Sequence, residues 1–157
     1  MLGFVSALLA IGGFSTPSFA DTHNNVNAAG DGAAVAAGGA QIVIHKRGDG
    51  AKPPTELGNP SEWGEVTLKT APAKTFSAMS TEACVPASGG NWCYGYYYAT
   101  NGKVCYSNYY HFSKTHKTSV QFGSWSGNSG WVNPGETAYT SGVGGAAFTC
   151  KTYYSIQ

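Results

Sequence analysis

Four side chains able to donate to an anion fall within seven positions: His111, Lys114, His116 and Lys117. The lysines bring fixed positive charge, and the imidazoles bring donors whose own charge changes near neutrality. Trp92, Tyr106, Tyr109 and Trp131 stand around them as rings with a polar end, suited to a sugar face or a headgroup boundary. Asn108 can donate and accept beside them. Together these nine residues are the candidate ligand-binding set. Each also has a packing role open to it. Tryptophans such as Trp92 and Trp131 often fill the core of a small β-domain, Asn108 can satisfy a strand end, and the histidines can cap or pack. Lys114 and Lys117, three positions apart, would face opposite sides of an extended strand. They share a ligand only if the chain from His111 onward is irregular.

The same inventory argues against catalysis. From Gly89 to the end Glu136 is the one carboxylate, too few for paired-acid glycosidase chemistry, and there is no nucleophile elbow. His111 and His116 have no third ligand at a suitable spacing, so neither a metal nor another cofactor is expected. Nucleic-acid binding would require a denser basic surface. A pore would require an amphipathic or apolar segment that this region lacks, so no transmembrane insertion is expected.

Charge and composition divide the chain. Asp21 to Ser88 carries five basic and seven acidic residues, a net of −2, whereas Gly89 to Gln157 carries four lysines against Glu136, a net of +3. Every tyrosine lies between Tyr94 and Tyr154, and three of the four tryptophans lie in the same half. A mildly basic, aromatic C-terminal module is the part expected to bury a core and to drift toward anionic surfaces.

The elements that would position these residues are strands. Trp92–Tyr98 and Lys103–Tyr110 flank Asn101-Gly102, a hairpin signal because both central residues of a type I′ turn need positive φ. Further strands are expected at 115–122, 131–132, 137–140 and 146–154, between Gly, Ser, Asn and Pro clusters. The fold class that follows is all-β, a small antiparallel β-sandwich. Four cysteines, Cys84, Cys93, Cys105 and Cys150, fit two disulfides in an exported domain and no common zinc spacing. With Asn101 and Gly102 as the turn, Tyr98 faces Cys105, Tyr94 faces Tyr109 and Cys93 faces Tyr110. Cys93 and Cys105 then point to opposite faces. The preferred pairing is Cys84 with Cys93 and Cys105 with Cys150, and the second is Cys84 with Cys105 and Cys93 with Cys150.

Upstream, Leu2–Phe14 is a short apolar run followed by the small-residue pattern Ser18-Phe19-Ala20, which reads as a secretory signal peptide over residues 1–20. No Lys or Arg precedes the run, so an upstream start supplying a basic n-region is expected. Residues 21–83, rich in Gly, Ala and Pro, are read as a largely disordered, low-complexity propeptide or linker. Short strands are possible at Gln41–His45 and Glu65–Lys69, with too little apolar mass to offset ordering. Residues 84–157 are then the disulfide-stapled domain.

Within that domain, Tyr106-Ser107-Asn108-Tyr109-Tyr110-His111-Phe112-Ser113-Lys114-Thr115-His116 resembles the Y-S-N-Y-x-H-x-x-K-T-H segment of the lactococcin 972 family. Gly90-Asn91-Trp92-Cys93-Tyr94-Gly95 resembles the family's G-x-W-x-x-G, and 146–154 its closing aromatic strand. The resemblance covers Gly89 to Gln157. It implies a secreted, extracellular, non-enzymatic bacteriocin with a β-sandwich fold, acting on the cell wall of Gram-positive bacteria by binding lipid II and blocking septum formation. The family pattern depends neither on four cysteines nor on some 60 residues between signal and module. The implied partner is lipid II or another cell-wall glycan, with a homodimer through an open sheet edge as a further expectation. A non-toxic secreted carbohydrate- or wall-binding module is the second reading, and a disulfide-stapled protease inhibitor the third.

Overall fold

A computed structural model describes residues 34–35, 40–69 and 80–157. The expected signal segment, residues 1–20, lies outside the described residues, as do most of 21–39 and all of 70–79. Among the described residues ten strands run in the order β1 (Ala34–Val35), β2 (Gln41–Lys46), β3 (Glu62–Leu68), β4 (Ser80–Ala87), β5 (Gly90–Ala99), β6 (Gly102–Tyr110), β7 (His116–Phe122), β8 (Trp125–Asn128), β9 (Thr137–Gly144) and β10 (Cys150–Ile156). They form two antiparallel sheets, β1-β2-β3-β10-β7-β8 and β4-β5-β6-β9, packed as the expected all-β sandwich.

Strand alternation sets the core. On β5 Trp92, Tyr94 and Tyr96 point inward, on β6 Cys105, Ser107 and Tyr109, and on β10 Cys150, Thr152, Tyr154 and Ile156. Tyr154 packs against Trp92 at 4.9 Å between ring centroids and against Tyr109 at 4.6 Å. Trp92 Nε1–H donates to Ser107 Oγ at 2.9 Å, and the Ser107 hydroxyl donates to the Tyr153 carbonyl at 3.0 Å. This chain ties the two sheets with its polar atoms satisfied.

The linker reading does not hold for residues 40–69. β3 lies between β2 and β10 in the larger sheet, pairing with all seven residues of β10. Ile42, Val66 and Leu68 are buried in the main core, and Leu57, Trp63 and Tyr153 form a second cluster on the sheet's outer face. The apolar mass of this segment is small, yet it acts on a surface supplied by β10. That contribution is invisible when the segment is weighed alone.

At Gly64 the fit is tight: Tyr154 lies over it, and the Cβ of any other residue would fall within that ring. Tyr154 is fully buried and has no room to withdraw. Gly64→Ala is therefore expected to destabilise the fold by about 1–3 kcal/mol, read as a lowered denaturant midpoint with unchanged slope.

The β5–β6 register also differs from expectation. Ala99 pairs with Gly102, so Thr100 and Asn101 form the turn, and Tyr96, not Tyr98, faces Cys105. Positive φ at both central residues occurs one hairpin earlier, at Ser88 (48°) and Gly89 (81°) between β4 and β5, as a type I′ turn requires. A slip of two residues preserves which face each side chain takes. Cys93 and Cys105 therefore still diverge, and the preferred pairing stands: Cys84–Cys93 staples β4 to β5, and Cys105–Cys150 joins the sheets. Trp131–Val132 is not a strand but contributes one bridge, Val132 to His116. The edge of the larger sheet beside β7 is instead β8, which was not expected, and β10 begins at Cys150 rather than 146, after a loop at 145–149.

Candidate functional site

The outer face of the four-stranded sheet is a grid of alternate residues. Its rungs run Tyr97–Val104–Val143, Glu82–Gly95–Tyr106–Ser141 and Cys84–Cys93–Asn108–Tyr139. Gly95 puts no side chain between Glu82 and Tyr106. The Glu82 carboxylate, two strands away, therefore acts on the Tyr106 hydroxyl with no side chain interposed. Burial first, and then the nearby carboxylate, push the Tyr106 phenol up to about 12, so it remains a neutral donor at physiological pH. Tyr97 tilts toward it with centroids 6.4 Å apart.

Around these rings opens a groove of about 490 Å³ lined by Glu82, Tyr97, Tyr106, Asn108, Tyr139 and Ser141 among others. Tyr97 is 45% exposed and Tyr139 67%, which is a large outlay of aromatic surface for a small domain. Chemically the groove offers flat faces for apolar C–H surface, with a carboxylate, an amide and hydroxyls at its edges. Among its lining residues no nucleophile stands against a base.

Of the nine sequence-derived candidates, Tyr106 and Asn108 lie in this groove. Trp92, Tyr109 and His116 are fully buried between the sheets, so the ligand role assigned to them is corrected to packing. Tyr109 donates to the Ala87 carbonyl at 2.8 Å. His116 meets the Tyr109 ring edge-on at 5.5 Å. Its Nδ1 lies 2.9 Å from the Lys114 carbonyl, which can only accept, so Nδ1 carries the proton.

His111 is also buried and structural. Its Nδ1 accepts from the backbone N–H groups of Ser113 and Lys114, at 3.2 and 3.0 Å, and Nε2 faces the Ser88 carbonyl at 3.1 Å. With Nδ1 accepting twice, the proton belongs on Nε2. The ring pins the 111–115 bend to the β4–β5 turn, and neither nitrogen is left for a ligand.

Lys117 and Trp131 meet on the far sheet. The ammonium donates to the Glu56 carbonyl at 2.9 Å and sits 4.7 Å from the Trp131 ring centroid. Burial lowers the pKa of Lys117, partly opposed by the Glu56 charge. Lys114 is exposed in the bend before β7. The expected cluster of four donors is thus dispersed among the core, a turn, the opposite sheet and an exposed bend.

Glu82, Tyr97, Tyr139 and Ser141 were missed by sequence reasoning. The signal available for Tyr139 was the alternation Ala138-Tyr139-Thr140, in which the small residues point inward. Glu82 carries no such signal, because it precedes the segment whose pattern reads as a domain.

A family model described as Bacteriocin (Lactococcin_972) matches residues 88–154. No curated protein and no solved structure matches the chain significantly. The match runs from the β4–β5 turn through the paired tyrosines of β10 and includes five of the six groove residues named above, leaving out Glu82. Residues 88–154, less than half of the chain, are thus similar to the lactococcin 972 bacteriocin family.

Proposed function

We propose that this protein is a secreted bacteriocin that acts on the cell wall of Gram-positive bacteria by binding lipid II and thereby blocks septum formation. In this reading the tyrosine groove of the four-stranded sheet holds the glycan part of the ligand. The observation that carries the assignment is the convergence of Tyr97, Tyr106 and Tyr139 with Asn108, Ser141 and Glu82 on one outer face. Amino sugars present C–H faces that stack on such rings, while their acetamide and hydroxyl groups need donors and acceptors at the rim. The wall precursor presents these sugars outside the membrane, where an exported protein meets them.

Tyr139→Ala tests the groove with little structural cost, because the side chain is mostly exposed. Capture of purified lipid II in detergent is expected to weaken at least tenfold, or about 1.4 kcal/mol, with an unchanged melting curve. Unchanged capture would remove the groove from the site. Applied to sensitive Gram-positive cells, the purified protein is expected to halt division at nanomolar to micromolar dose. If it coated cells without arrest, the second reading, a non-toxic wall-binding module, would replace this one.

A further inference from the structure

One end of the sandwich is made by the β5–β6 turn, the β7–β8 turn and the β9–β10 loop. It presents Trp125 and Phe148 to solvent, 47% and 53% exposed. Both are held by the fold. Trp125 packs beside Phe122 at 5.4 Å and lies over Gly142, where a Cβ would collide with it. Phe148 closes a turn through its N–H to the Gly145 carbonyl at 3.0 Å, and its own carbonyl accepts from the Lys103 ammonium. The three residues before Phe148, Gly145-Ala146-Ala147, have neither charge nor bulk.

The charge at this end has one sign among the described residues. Lys69 follows the end of β3, and Lys103 and Lys151 are the second residues of β6 and β10; Lys69 and Lys151 are exposed. The acids lie elsewhere. Asp49, Glu62 and Glu136 sit toward the opposite end, Glu56 covers the outer face of the larger sheet, and Glu65 and Glu82 are mid-strand. Exposed tryptophan and phenylalanine backed by lysines are the two signals that peripheral binding to an anionic bilayer requires.

We propose that this end docks on an anionic phospholipid bilayer, with Trp125 and Phe148 entering the headgroup boundary and Lys69 and Lys151 facing its phosphates. The inference does not rest on lipid II binding, yet the two are geometrically compatible. Tyr97 and Val143 form the rung of the outer face nearest this end, so docking sets the groove open beside the membrane surface.

The test uses vesicles free of lipid II, made either of phosphatidylcholine alone or of equal phosphatidylcholine and phosphatidylglycerol. The full protein is expected to co-sediment with the anionic vesicles, to be released by 0.5 M salt, and to have its tryptophan emission quenched by brominated lipid. Trp125→Ala with Phe148→Ala is expected to lose at least tenfold in partitioning. Should near-UV circular dichroism show that this pair unfolds, Phe148→Asp in the exposed loop is read instead, with the same expected loss. Absence of partitioning, equal partitioning into neutral vesicles, or undiminished partitioning of the folded variant would overturn the proposal. So would a wild-type dimer that the variant turns into monomer, because the end would then be covered by a second copy. Lipid II capture in detergent involves no bilayer, so failure here leaves that assay untouched.

Discussion

A chain shortened to begin at Ser80, just before the disulfide-stapled module, is expected not to fold. Removing residues 40–69 takes away Ile42, Leu57, Trp63, Val66 and Leu68, all buried. At about 1.5–3 kcal/mol for each fully buried apolar side chain, the loss is on the order of 10 kcal/mol, comparable with the whole stability of an ordinary domain. It would also strip the hydrogen-bonding partner from one side of β10 along its full length and uncover Tyr153, which packs on Trp63 and Leu57. An exposed strand edge of this kind promotes aggregation. Expression of residues 80–157 is therefore expected to give insoluble or molten protein, whereas residues 40–157 give a cooperative transition. If the protein is secreted as proposed, the same reasoning bears on the mature product: its intact mass is expected to place the N-terminus at or before Ala40. A soluble, cooperatively melting 80–157 fragment would show that β2 and β3 are dispensable.

How far the sequence could be read depends on whether a residue's role was local. The hairpin around β5 and β6, the alternating aromatics and the sandwich class were legible because strand period and turn residues are properties of neighbours along the chain. The pairing Cys84–Cys93 and Cys105–Cys150 was legible for a narrower reason: face parity survives a two-residue error in register. Ligand residues were the least legible. Tyr106 and Tyr109 are equivalent as residue types and differ by three positions, so they take opposite faces, and which face is core depends on where the second sheet packs. His111, Lys114, His116 and Lys117 are neighbours in sequence but are sent apart by the bend at 111–115 and by strand alternation in β7. Conversely, Glu82 and Tyr106 are far apart in the chain, and they meet only because Gly95 leaves the strand between them bare.

The two disulfides are expected to behave very differently. Cys105 and Cys150 are fully buried and join the sheets across a separation of 45 residues, whereas Cys84–Cys93 spans 9 residues on an outer face and Cys84 is exposed. Loop-closure entropy assigns about 4 kcal/mol to the longer link and about 2.5 kcal/mol to the shorter. The inter-sheet bond also closes the core beside Tyr96 and Phe122, so its loss leaves a packing defect as well. Cys105→Ala with Cys150→Ala is expected to lower the melting temperature by roughly 10–25 °C, against a clearly smaller drop for Cys84→Ala with Cys93→Ala. Reductant should reach the exposed bond first. Alkylation of the native protein after mild reduction is then expected to label Cys84 and Cys93 while Cys105 and Cys150 stay protected until the sheets separate. Simultaneous labelling of all four thiols under native conditions would mean that the sheets part as readily as β4 lifts from β5. In that case the aromatic core, rather than the bridge, is the weaker tie between the layers.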